Sequence, residues 1–243
     1  MAKKSLIARL RDKQKKIKES GQGYPYFLIP EGVTRMRPVW CGEDQDWSLE
    51  VVFFYLGKEM GGFISPATFG EKCAFHRMHK KLSDSKDEDE REYAKNKLRP
   101  GRKFAVGVYR YKDAEGTEVD EQSGVKCAIL APSVVDKMLD LYLDADNGDF
   151  TDPIKGYDLK FKRTGKGKND TEYNVVKGKN TKASKKFRGP YNIEELVRKI
   201  LPTYEQTKEM LEKYMNLAPD DEAESSTKKK KPIKKKVKKS KDL

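Results

Sequence analysis

Short β-like runs broken by turns, few long helices and one amphipathic helix embedded late in the chain predict a mainly β protein with helical insertions. With 243 residues the chain can hold one sizeable core, or a domain with substantial extensions.

Residues 1–20 are helix-compatible, with Leu6, Ile7, Leu10 and Ile17 set among lysines and arginines. They are expected to form a basic N-terminal arm. Tyr24 to Ile29 and Thr34 to Val39 read as strands around the turn Pro30-Glu31-Gly32. Leu49 to Leu56, rich in Val, Phe and Tyr, is a stronger strand. Phe69 to Leu82 is mixed and carries a Cys/His cluster. The charged run Lys86 to Lys97 predicts a solvated helix that ends before Pro100-Gly101.

Phe104 to Tyr111 and Val125 to Leu130 read as strands on either side of a turn at Asp113 to Gly116. Between Pro132 and Leu143, Val134, Val135, Met138, Leu139 and Leu141 recur at helical spacing, which predicts a helix against the sheet. Leu159 to Arg163 and Thr171 to Val176 predict a hairpin around Gly165 to Asn169. Ile193 to Ile200 and Thr203 to Asn216 read as helices split by Pro202. Beyond Leu217 apolar content collapses, which predicts a disordered tail. The whole reads as an α+β protein: a basic arm (1–20), an OB-fold-like five-stranded barrel core (21–216) and a tail (217–243). That barrel is favoured because it offers a concave face to a single strand.

The formal net charge of +13 is unevenly placed. Residues 1–18 carry +7, 150–188 carry +8 and the last sixteen residues carry +9, whereas 19–149 and 189–227 are net acidic. Localised basicity of this kind is an electrostatic footprint for a polyanion. No run of eighteen apolar residues exists, so no membrane span is expected. The N-terminus lacks the apolar core of a signal peptide, and three cysteines fit a reducing cytoplasm. A cytoplasmic location is therefore expected.

The internal stripe is the most informative segment. It sets Tyr157, Phe161 and Tyr173 among Lys155, Lys160, Lys162, Arg163, Lys166 and Lys168. Cations track a phosphate backbone while aromatic faces stack on unpaired bases, so the mixture favours single-stranded nucleic acid over a duplex. Arg35, Arg37, Lys160, Lys162, Arg163, Lys166 and Lys168 are candidate phosphate partners, and Arg110 is a further candidate DNA-binding residue. Tyr109, Tyr111, Tyr157, Phe161 and Tyr173 are candidate stacking faces. Alternation allows half of each strand to face the ligand, so either Phe161 or the pair Lys160 and Lys162 points there.

The stretch from Gly148 through Tyr173, reading G-D-F-T-D-P-I-K-G-Y-D-L-K-F-K-R-T-G-K-G and later T-E-Y, resembles phage single-stranded DNA-binding proteins. The family is that of the T-even phage helix-destabilising protein. Glu31 to Arg37 and Arg102 to Arg110 resemble two of its core strands, and Lys3-Lys4-Ser5 resembles its arm. The resemblance implies an OB-fold core that coats single-stranded DNA in replication, recombination and repair. It further implies cooperative self-association through the arm residues Lys3, Lys4 and Ser5, and contacts with replication and recombination proteins.

The family often holds a structural zinc with one His and three Cys. Here the closing C-x-x-C reads Cys73-Ala74-Phe75-His76, while Ser65 and Tyr55 fall where two ligands would be. Cys41 and His79 are the candidate replacements, since thiolate and imidazole both suit tetrahedral zinc. The family tail is acidic; here Asp220, Asp221, Glu222 and Glu224 precede ten lysines.

No P-loop spacing surrounds Gly165-Lys166-Gly167-Lys168, and Asp144 to Asp149 miss the EF-hand pattern. With two histidines and no patterned carboxylates, a non-catalytic role is expected. The competing readings are a duplex-binding architectural protein driven by its basic ends and, behind it, a metal-dependent nuclease.

Overall fold

The computed structural model describes residues 26–165 and 170–217. The expected arm with Lys3, Lys4 and Ser5, the loop residues Lys166 and Lys168, and the tail from 218 onward lie outside the described residues.

Among the described residues, seven strands and six helices follow one another. They are β1 (Gly32–Pro38), β2 (Ser48–Tyr55), the one-turn α1 (Gly57–Met60), β3 (Gly62–Ile64), α2 (Ala74–Ser83) and α3 (Glu88–Lys97). Then come β4 (Gly101–Arg110), β5 (Lys126–Leu130), α4 (Pro132–Leu143), β6 (Tyr157–Thr164), β7 (Glu172–Asn180), α5 (Ile193–Arg198) and α6 (Tyr204–Leu217). The architecture is α+β, built on a mostly antiparallel sheet of order β3-β2-β4-β1-β6-β7 with β5 paired to β4. Five strands were expected and seven are present. β3 and β7 end the strand path without pairing to each other, so the sheet is open among the described residues.

The ten-residue β4 organises this sheet. Gly101 to Val106 pair with β2, Val108 to Arg110 with β1, and Phe104 to Val108 with β5. The expected strand before Pro30 is reduced to a single parallel bridge, Phe27 with Ala128. β3 escapes the sequence reading because three residues are too few for a period to register.

Helix ends follow local chemistry. Asp87 caps α3, its carboxylate accepting the Asp89 N–H at 2.9 Å. Asn192 caps α5 by accepting the Glu195 N–H at 3.1 Å. No helix among the described residues is long and apolar enough to cross a membrane.

Two apolar clusters sit on opposite sides of β2. Val51 and Phe53 join Met36, Val106, Leu159 and Phe161 in the larger one. Phe54 faces the other way and meets Phe63 and Phe75 at 5.5 and 5.4 Å, beside Leu98 and Leu211 of the helical layer. A strand covered on both faces reads as a continuous apolar run, which is why V-V-F-F carries no alternation.

A buried ion pair ties the sheet to its cover. Arg37 and Asp158, both almost fully buried, approach to 3.7 Å. Arg37 also donates to the Asp152 carbonyl at 2.5 Å and to the Thr181 hydroxyl at 2.9 Å. Asp158 accepts from the Tyr111 hydroxyl at 2.7 Å and from Thr181 at 2.9 Å. Removing one member strands the other in a poorly solvating interior. Arg37→Ala is expected to destabilise the fold by about 3–5 kcal/mol in chemical denaturation; a loss below about 1 kcal/mol would mean that the pair is solvated.

Candidate nucleic-acid interface

The β6–β7 hairpin carries most of the basic stripe, and Lys155 before it is exposed as well. It turns at Gly165, whose φ of +81° is open to glycine. Strand pairing opposes Arg163 to Tyr173, Lys162 to Asn174 and Lys160 to Val176. On the far side β1 opposes Arg35 to Lys160 and Val33 to Lys162.

Alternation then sorts the hairpin. Tyr157, Leu159 and Phe161 are buried in the larger cluster, and Arg163 continues that face past the end of the core. Lys160 and Lys162 stand on the opposite face. Adjacent cations therefore flank the hairpin rather than line one side of it. Phe161 belongs to the core, which resolves the choice that alternation left open.

Arg163 lies 5.9 Å from the Tyr173 ring and donates to the Ile29 carbonyl at 2.9 Å, while its Nε is buried without a partner. Around this pair lie two adjoining hollows that share Tyr173. The larger, about 720 Å³, has Ser133, Lys137, Lys162, Tyr173 and Asn174 in its walls together with one carboxylate, Glu172. The smaller, about 150 Å³, has walls from Leu28, Ile29, Leu130, Val134 and Arg163. Lys137 closes one side by donating to the Tyr173 carbonyl at 2.5 Å. The arrangement offers cations at the rim, an aromatic ring at the junction and an apolar recess behind it. That combination can hold an anionic chain with unsaturated, stackable groups.

Of the other expected site residues, Arg35, Arg37, Tyr109 and Tyr157 are buried, and Arg110 and Tyr111 are half-buried. Arg35 is buried, with its guanidinium donating to the Glu115 carbonyl beneath a loop whose Gly116 backbone approaches it closely. Arg37 serves the buried pair with Asp158. Tyr109 is buried, stacked on Phe187 at 4.9 Å. Tyr111 is half-buried and bonded to Asp158. Burial pushes both phenols above their ordinary range. Arg110 pairs with Asp120 at 3.3 Å and covers Phe27 at 4.8 Å. Tyr157 is buried and donates to the Leu141 carbonyl at 3.1 Å. Arg37, Tyr109, Tyr157 and Phe161 are thus packing groups and present no face to solvent.

Lys137, Ser133 and Asn174 were missed. The first two precede the stripe by more than ten residues, and the fold carries them to it because α4 packs against β7. One signal was present in the sequence: Lys137 is the only cation in Pro132–Leu143.

The expected zinc ligands do not converge. Cys73 precedes α2, with His76 and His79 on that helix, and it packs in the helical cluster. Cys41 packs in the larger cluster. Ser65 instead starts a 3-10 turn, accepting the Ala67 N–H at 3.2 Å. Among the described residues no group of three or more His, Cys, Asp or Glu could hold a metal ion. Cys73, His76, Cys41 and His79 are thus not gathered into a tetrahedral set among the described residues.

His76 has a different consequence. Its ring meets Phe54 edge-on at 5.1 Å and its Nε2 is buried without a partner. Burial first, and the neighbouring His79 second, hold its pKa below the usual 6.5. The unfolded chain then binds the proton more readily, so stability is complete above 6.5 and is lost as pH falls below it. Thermal unfolding at a series of pH values is expected to show this decline, and His76→Phe is expected to flatten it. An equally steep decline in the variant would assign the proton uptake elsewhere.

Comparison with known proteins finds no family model that matches the chain and no curated protein that matches it.

Proposed function

We propose that the protein is a non-catalytic binder of single-stranded DNA that coats and protects the strand with little sequence preference. The observation that carries this reading is the Arg163–Tyr173 pair at the junction of the two hollows, with Lys137 and Lys162 at the rim. Phosphates would meet Lys162 and Arg163, and a base would stack on Tyr173. The smaller hollow, about 150 Å³, is of a size to admit part of one base, not a base pair.

The resemblance of residues 148–175 to the phage family supports roles in replication, recombination and repair, self-association along the strand, and a host-cytoplasmic location. It also supports reading the open sheet as an OB-like core enlarged by α2, α3 and α6. In this reading Lys160, Lys166 and Lys168 extend the basic track of the hairpin. Arg37, Tyr109, Tyr157 and Phe161 have only structural roles.

The test is fluorescence anisotropy of a labelled single-stranded oligonucleotide, with the matched duplex and an RNA strand as competitors, at two salt concentrations. Full-length protein is expected to prefer the single-stranded DNA. Tyr173→Ala is expected to weaken binding by about 1–3 kcal/mol at either salt. Arg163→Ala is expected to reduce the salt slope by about 1. Equal duplex affinity, with both variants unchanged, would move binding to the lysine tail and reject the cleft. Tighter RNA binding would reassign the ligand.

A further inference from the structure

A second cleft, of about 660 Å³, lies between the 40–47 loop and the C-terminal half of α4. Its walls are Trp40, Trp47, Tyr142, Leu139 and Leu143, and Leu143 is 76% exposed. Its rim carries Glu43, Asp44, Asp46 and Asp149. Asp149 accepts the Thr151 N–H and hydroxyl at 2.6 and 2.7 Å. Among the described residues no ion pair reaches any of the four carboxylates. Their field is felt nearby: after burial, Asp149 and Asp46 are what raise the Tyr142 phenol.

An apolar floor beneath an unneutralised acidic rim suits a strand of lysines with apolar residues between them. Lysine stems lie along apolar surface while the ammonium groups reach outward, and ammonium groups also sit over tryptophan faces. The chain carries one such segment. Residues 228–243 hold ten lysines, with Ile233 and Val237 among them. The 26 residues after Leu217 extend to roughly 90 Å, more than the roughly 40 Å across a globule of this size. Reach therefore does not restrict docking.

We infer that the Trp40–Leu143 cleft is the docking site for the chain's own lysine-rich segment 228–243. The inference rests on the cleft and the charge of the segment, so it stands apart from the nucleic-acid reading. Docking neutralises the acidic rim and covers Leu143. It also holds ten cations away from other polyanions at low salt.

The only two tryptophans, Trp40 and Trp47, both line the cleft and supply the readout. Full-length protein bearing a dansyl group at its C-terminus is expected to show tryptophan-to-dansyl energy transfer at low salt, independent of protein concentration and lost as salt rises. The paired substitution Asp44→Asn and Asp46→Asn is expected to lower the docking constant about fivefold. Both residues are exposed, so the fold is kept. Leu143→Ser and the set Lys234→Gln, Lys235→Gln and Lys236→Gln are expected to reduce transfer as well. Transfer unchanged in all of these variants, or absent at low salt, would overturn the proposal. Transfer that rises with protein concentration would also overturn it, because the segment would then be docking on another copy.

Discussion

The contact between Arg37 and Asp158 decides which parts of this protein are surface. Two charges removed from water need close compensation, and here it is spread over several partners. Arg37 stands on β1 and Asp158 on β6, while Tyr111 follows directly on β4, Thr181 on β7, and Asp152 lies in the turn before β6. Satisfying the pair therefore pins the 181–187 segment on the sheet. Tyr109 is then enclosed against Phe187 and Ala183. Residues that would make a good ligand face in isolation become the underside of a lid.

That enclosure moves the candidate interface toward the free end of the β6–β7 hairpin. Past Phe161 the core stops, and the strands continue as a ribbon with both faces accessible. Arg163 there leans on the last core residues through Ile29, while Tyr173 opposes it across the ribbon. α4 lies alongside and contributes Lys137. The same helix, at its other end, supplies Leu139 and Leu143 to the acidic cleft. One helix thus borders a basic hollow near its start and an acidic one near its finish.

Much of the fold was legible because local periodicity and local burial agree. Pro132 to Leu143 was readable as a helix because its apolar spacing matches one buried stripe, and proline suits its first position. The β6–β7 hairpin was readable because glycine marks its turn. β3 and α1 were not: β3 gains its order from pairing with β2, and α1 is a single turn in the loop between those strands. Barrel closure was not legible either, because the pairing of distant strand edges leaves no mark in local pattern.

For the site, composition located the stripe but not its exposure. By itself the sequence determined the α+β class, most element positions, the basic hairpin and the lysine-rich end, because each depends on neighbours within a few residues. Tertiary structure alone decided that Arg37, Tyr109, Tyr157 and Phe161 turn inward while Arg163 and Tyr173 stay half-exposed. It alone separated Cys41 from Cys73, and it alone brought Lys137 to the hairpin. The physical reason is the same in each case: burial and charge pairing are set by groups distant in the chain, and those distances become short only once the sheet has formed.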